Sequence, residues 1–386
     1  MASARLVGLD VARCVALLGM VATHVLDERT PAGDLTTAQV LAGGRAAALF
    51  ALLAGVTLAL STGGRTPVRG RERVAASVGL LVRALSIAVI GLLLGGLETG
   101  LAIILTYYGL LFCLGIPFVG LGAGGLAALA GGWLVAAPVV SHLLRPELPP
   151  RGFGSPTFQQ LFTEPLRMLS ELAFTGYYPV VPWLAYLLAG MALGRADLRS
   201  RRVQAGLAMV GAGLALGAAL LSRALTALPS VGEALRAQPP TRASVPDLLD
   251  RASEGMAGTT PTGGAWQWLL VDAPHSATPF DLAQTTGSAV LVIGVALLVV
   301  GVLPAVGERF TAVLFGAGTM TLTLYSLHAL MKTPQVWPAE VPEAFTSHVL
   351  VLGAIGAVYV ALRIRGPLER IVGALSGGAR SLVRGG

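Results

Sequence analysis

Ten apolar stretches close to bilayer-spanning length run through this chain of 386 residues and leave it few folds to adopt. Backbone N–H and C=O groups surrounded by lipid must pair within the protein, and continuous apolar runs of about twenty residues do so as helices. The stretches lie near Leu6–Val25, Ala38–Leu60, Val74–Gly95, Leu101–Pro117, Leu121–Leu144, Tyr177–Leu193, Val203–Leu221, Gly287–Leu303, Phe310–Met331 and Val349–Leu362. Only the uncharged, Gly-rich segment 120–125 parts the fourth from the fifth, so a short re-entrant segment is an alternative there. With 54% hydrophobic and 12% charged residues, and a mean hydropathy of +0.74, an ordinary soluble domain is excluded. The expected fold is an all-α, polytopic transmembrane helical bundle of about ten spans, one integral-membrane domain over 1–386.

The formal net charge of +7 resides mostly in three groups of arginines. Arg65, Arg69, Arg71 and Arg73 crowd the second loop, Arg195, Arg199, Arg201 and Arg202 the sixth, and Arg363, Arg365, Arg370, Arg380 and Arg384 the tail. The positive-inside rule accounts for them, so nucleic acid is not an expected partner. All three groups fall on one side of a ten-span arrangement, which predicts cytoplasmic termini, a plasma-membrane location and membrane lipid as the surrounding partner. Loops 145–176 and 224–286 then lie outside, placed to cover a site from above. The tail 366–386 alternates apolar and basic residues, suiting a peripheral helix on an anionic leaflet as well as a solvated segment. Cys14 and Cys113 both fall inside spans, so neither a disulfide framework nor a metal site is expected. Asp10 and Arg13 interrupt what would be the apolar core of a signal peptide, so the first span is expected to stay. The oligomeric state stays open, a homo-oligomer included.

Ionisable groups inside a span cost several kcal/mol unless paired or wetted, and they usually face a bundle interior. The first span carries Asp10, Arg13 and His24. At 100° per residue Arg13 and His24 share one face, roughly 16 Å apart along the axis. A neutral imidazole takes a proton from an amine or hydroxyl, or accepts an acyl group, near neutral pH, and a guanidinium binds phosphate or carboxylate. The plain alternatives are an interfacial histidine bonded to a neighbouring span and an intrahelical pair of Arg13 with Asp10. His24, His142, His275, His328 and His348, all the histidines of the chain, fall at outer ends or in outer loops, so proton-transfer chemistry is expected near the outer face.

Further candidates follow from position. Arg45 opens the second span at the outer level, suited to steadying an oxyanion or snorkelling to water. Arg83, with Arg69, Arg71 and Arg73, is placed to hold an anionic cofactor or simply to anchor the inner face. Thr321, Tyr325, His328 and Lys332 fall at intervals of four, three and four, a polar stripe that lines a cavity or bonds another helix. Tyr177, Tyr178 and Trp183 begin the sixth span as an aromatic belt or a sugar-stacking surface, and His275 with Asp281 forms a polar part of the outer loop or is merely solvated. Walker A, HExxH and GxSxG motifs are absent, and Gly316-Ala317-Gly318 reads as small-residue helix packing. A transporter or flippase for a small polar or lipid-linked solute, its route lined by these charges, is the alternative to an enzyme, although no internal repeat is evident.

The segment Arg5-Leu6-Val7-Gly8-Leu9-Asp10-Val11-Ala12-Arg13, leading through Ala16–Met20 to His24, resembles the opening of bacterial relatives of heparan-alpha-glucosaminide N-acetyltransferase. The resemblance continues in 49–55, in Gly176–Tyr186, in Pro274-His275-Ser276 and in Leu324–His328. It implies a membrane-embedded acyltransferase that takes an acetyl group from cytoplasmic acetyl-CoA, the acyl donor, and gives it to an amine or hydroxyl of an extracytoplasmic sugar or glycan. The arginine, ten intervening residues and histidine of the first span also resemble the acyltransferase-3 pattern, which assigns His24 as base or acyl carrier. In the heparan enzyme the catalytic histidine lies in the loop after the first span, whereas 27–37 here holds none. With the candidates read from position, the expected site is His24, Arg45 and His328 for chemistry, Arg13, Arg69, Arg71, Arg73 and Arg83 for the donor, and Tyr177, Tyr178, Trp183, His275, Asp281, Tyr325 and Lys332 for the acceptor, without metal.

Overall fold

The structure, a computed structural model, describes residues 5–152, 154–338 and 341–385. Residues 1–4 and Gly386, the ends of the expected domain and tail, lie outside the described residues. In chain order the helices are α1 (Val7–Val25), α2 (Thr37–Ala42), α3 (Arg45–Ser61), α4 (Gly70–Gly95), α5 (Leu105–Gly115), α6 (Ala123–Leu144), α7 (Phe158–Thr163), α8 (Pro165–Ser170), α9 (Val180–Gly194), α10 (Arg201–Thr226), α11 (Pro229–Ala237), α12 (Val245–Glu254), α13 (Pro279–Gly301), α14 (Ala305–Leu314), α15 (Thr321–Met331), α16 (Ala344–Ala361) and α17 (Pro367–Gly385). The fold is all-α, and among the described residues β structure is limited to two isolated bridges.

Among the described residues seven helices are long and apolar enough to cross a membrane: α1, the joined α2–α3, α4, α6, α10, α13 and α16. The stretch Pro165–Thr175 with α9 makes an eighth as a pair bent by 52°. The remaining two of the ten expected segments are not straight spans. Helix α5 has only 11 residues before a 3-10 turn ending at Phe118, and Phe310–Met331 is broken at Gly316–Thr319 between α14 and α15.

That break has a steric origin. A Cβ on Gly318 would lie 1.9 Å from the Asp10 carbonyl oxygen, and one on Gly316 would lie 2.4 Å from that of Gly356, so the turn is wedged between the backbones of α1 and α16. Glu369 of α17 caps the freed start of α15, accepting from Leu322 N at 2.8 Å and Thr323 N at 3.1 Å. A carboxylate there meets unpaired N–H groups and the positive end of the helix dipole. Elsewhere glycines also set helix spacing: Cβ atoms on Gly55 and Gly190 would fall 2.2 Å from Leu187 O and 1.9 Å from Leu52 O, so α3 and α9 touch backbone to backbone.

One end of the bundle is held by arginines. Arg384 and Arg380 pair with Glu72 at 2.6 and 3.3 Å, and Arg71 donates to Val383 O at 2.9 Å, fastening the tail helix α17 along α4. The tail is thus packed rather than freely solvated. Buried Arg195 donates to the carbonyls of Ala59, Thr62, Gly64 and Val119, closing the ends of α3 and α5. At the opposite end α11, α12 and the turn Trp266–Leu270 close over a small core of Val231, Leu235, Ala252 and Trp268. Arg29 ties the α1–α2 connection to this cap through Asp250 at 2.9 Å and through Glu254. Arg145 joins the earlier loop to it, donating to Thr260 Oγ1 at 2.6 Å.

Candidate active site

The last turn of α1 places His24 against α15. Its Nδ1 lies 3.0 Å from Nε2 of His328, with the ring planes 5° apart. The other nitrogen of His328, Nδ1, lies 3.1 Å from Nδ1 of His348, one turn into α16. Lys332 Nζ donates to the His24 carbonyl oxygen at 3.0 Å. His328 and His348 are buried, while His24 keeps some exposure. Helices distant in sequence therefore assemble three of the five histidines into one hydrogen-bonded row. A neutral imidazole row of this kind can accept, pass and return a proton.

Beneath the row runs a cavity of about 290 Å³. Met20, Tyr108 and Tyr325 line it, and His24 and His328 follow Met20 and Tyr325 by four and three residues on their helices, so the cavity stops about one turn short of the row. Arg13, Arg83 and Glu369 also line it, on the side of the arginine-bearing tail helix. Arg13 is held from two directions, by Asp10 Oδ1 at 2.9 Å and by Thr57 Oγ1 at 2.8 Å. Asp10 accepts in addition from Arg5 Nε at 2.5 Å, so the intrahelical Arg13–Asp10 pair forms and the guanidinium still faces the cavity. Arg83 lies 6.0 Å from the Phe112 ring centroid and has no hydrogen bond or ion pair among the described residues. Its charge is available to an anion.

His275 occupies the loop before α13 with a φ of 55°, and Ala277 follows at 50°, both in the left-handed region that non-glycine residues avoid. The loop is clamped: Met256 N donates to Pro274 O at 2.7 Å and Gly258 N to His275 O at 2.9 Å, and Pro274 rests on Gly44, whose own φ of 68° opens α3. The imidazole packs against Tyr177 and Tyr178 with centroids 4.9 and 5.7 Å apart, and Arg151 covers Tyr177 at 5.4 Å. Burial pulls the His275 pKa down to about 4, and its Nδ1 has no hydrogen-bond partner among the described residues.

The other expected site residues scatter. Arg45 donates to Val40 O at 2.7 Å and lines a separate cavity of about 310 Å³ with Arg223, Asp272 and Gln284, and burial raises the pKa of Asp272. Asp281 caps α13, accepting from Ala277 N at 2.9 Å, in partnership with Thr278. Trp183 is buried against Tyr178 and Tyr186. Arg73 donates to Pro117 O at 2.9 Å, and Arg69, Arg71 and Arg73 are exposed on the surface of the arginine end, outside the 290 Å³ cavity. Tyr325 joins the site at the head of the cavity, its hydroxyl accepting from Ile104 N at 3.3 Å.

Sequence reasoning left Thr57, Tyr108, Glu369 and the placement of His348 unassigned. For Thr57 a signal existed, a lone hydroxyl deep in an apolar run; for the others the partners lie on elements far along the chain.

A family model described as heparan-alpha-glucosaminide N-acetyltransferase, catalytic, matches residues 5–224. The match takes in more than half of the chain, including Arg13, His24, Thr57 and Arg83, and ends before His275, Tyr325, His328 and His348. No curated protein matches the chain.

Proposed function

The chain belongs to the heparan-alpha-glucosaminide N-acetyltransferase catalytic family, and on that premise we propose that it is a multi-pass membrane acetyltransferase working from acetyl-CoA onto an amine or hydroxyl of a sugar or glycan. Its several long apolar helices make it a membrane protein. In this reading the arginine end faces the cytoplasm of a bacterial cell and the histidine row lies toward the outside.

The residues present fit the donor. Arg83, without a hydrogen-bond or ion-pair partner among the described residues, and Arg13 offer guanidinium groups for phosphate, while Phe50, Leu53 and Ile87 give the cavity apolar walls for an extended arm. At about 290 Å³ the cavity lies at the small end of ligand sites, so it takes the acyl-bearing arm and leaves the nucleotide outside, toward Arg69, Arg71 and Arg73. Bound there, acetyl-CoA supplies an activated acetyl thioester.

His24 does the proton chemistry. With Nδ1 engaged by His328, its Nε2 is the atom that takes a proton from the acceptor, or that carries the acyl group. Lys332 sets positive charge beside the row, where it favours a developing oxyanion. Met20, Tyr108 and Tyr325 line the cavity, and in this reading they shift for donor and histidine to meet. The acceptor approaches past His275 and Tyr177, under the folded outer cap.

The observation that carries this reading is the His24–His328 pair standing one turn beyond a cavity that also exposes Arg83. Purified protein in proteoliposomes, given labelled acetyl-CoA and amino-sugar or glycan acceptors, is expected to release free thiol in an acceptor-dependent way, and His24→Ala to abolish the release. Full acetyl transfer by His24→Ala, or none by the unaltered protein, refutes it.

A further inference from the structure

His328 uses both ring nitrogens on other rings, Nε2 toward His24 and Nδ1 toward His348. A neutral imidazole carries one N–H, so only two orderings satisfy both contacts. In the first, His24 Nδ1–H donates to His328 Nε2 and His328 Nδ1–H donates to His348 Nδ1, leaving the lone pair of His24 on Nε2. In the second, every donor is reversed and His24 Nε2 carries the proton, so it cannot act as a base.

We infer that His348 is a positioning residue: through His328 it selects the first ordering and so presents His24 to the acceptor as a base. The inference rests on the acetyltransferase reading. Neither His328 nor His348 lies within the residues matched by the family model. The role requires the Nδ1 of His348 to be an acceptor, a condition its own tautomer with hydrogen on Nε2 provides. It also requires the row to stay neutral. Among the described residues, the ionisable groups acting on the row are Lys332 and His275 together with its own three members.

Substitutions at His348 separate positioning from mere packing. His348→Gln carries a carbonyl oxygen able to accept from His328 Nδ1–H and so permits the productive ordering. His348→Ala removes the acceptor, and His348→Lys supplies a donor that enforces the reversed ordering. Acetyl transfer in proteoliposomes is expected to fall roughly tenfold or more in kcat for Ala and Lys, with the donor KM unchanged, and to be retained within a few-fold by Gln. Equal loss in all three variants, or loss in none, overturns the inference. Solid-state NMR of the unaltered protein labelled with ¹⁵N-histidine adds a readout that needs neither activity nor a folded variant. His24 is expected with hydrogen on Nδ1 and a bare Nε2, and the opposite tautomer overturns the inference. Should the unaltered protein transfer no acetyl group, the enzymatic reading fails while the tautomer measurement still decides the ordering of the row.

Discussion

Nδ1 of His24 and Nε2 of His328 meet at 3.0 Å across the interface of α1 and α15, 304 residues apart in the chain. The contact engages one nitrogen of His24, and in the proposed reading the other does the chemistry. His328→Ala is expected to lower kcat on the order of a hundredfold, the scale of a positioned acid–base group, and His24→Ala to lower it at least as far. Steady-state acetyl transfer by the two single variants and the double variant checks this, with the double expected to lose little more than His24→Ala alone.

Arg83 is expected to act in donor binding. Arg83→Ala should raise the KM for acetyl-CoA about tenfold, corresponding to roughly 1.4 kcal/mol, while kcat changes little. Thr57→Val, which removes the hydroxyl that holds Arg13 at 2.8 Å, should raise it less. Donor titration of both variants tests the assignment, and unchanged KM values in both would remove the arginines from it.

His275 is expected to make the fold acid-sensitive. Its folded pKa of about 4 lies below the ordinary value of 6.5, so between those values the unfolded chain binds a proton that the folded chain does not. Its contribution to stability is complete above pH 6.5 and is lost as pH falls from 6.5 toward 4. The thermal midpoint of the detergent-solubilised protein is expected to drop across that window, and His275→Gln to flatten part of the drop. An unaltered slope in the variant contradicts the assignment.

Gly318 is a tight junction under the site. A Cβ there meets the Asp10 carbonyl oxygen at 1.9 Å, a rigid backbone atom, so Gly318→Ala must push α1 and the turn Gly316–Thr319 apart. A loss of about 1–3 kcal/mol or more is expected, read as a lower thermal midpoint, together with reduced transfer because Arg13 and His24 both ride on α1.

Much of the bundle is legible in hydropathy alone, because satisfying backbone polar groups in lipid forces helices wherever the apolar run is long enough. The break at Gly316–Thr319 is not, since Gly-Ala-Gly within an apolar run continues a helix locally. What ends the helix is the backbone of α1, three hundred residues earlier. The site divides the same way. The Arg13-to-His24 spacing and the Thr321, Tyr325, His328, Lys332 stripe follow from helical periodicity. The His328–His348 contact joins side chains of two separate helices, and Glu369 reaches back 47 residues to cap α15, so neither has a periodic signature. Asp281 illustrates a local signal with a structural meaning: Thr278 and Asp281 stand at the capping spacing, and the carboxylate closes its own helix start. Arg45 turns to a different cavity because the Gly43–Gly44 break redirects the chain between α2 and α3.

The most direct test of the account is the structure of the protein, determined by electron cryomicroscopy, with a non-hydrolysable acetyl-CoA analogue. The account predicts the pantetheine arm along α1 in the cavity lined by Arg13 and Arg83, with the acyl carbon beside Nε2 of His24 and Tyr325 displaced. An analogue bound elsewhere, or an acyl carbon separated from His24 by an intact Met20–Tyr325 closure, would contradict it.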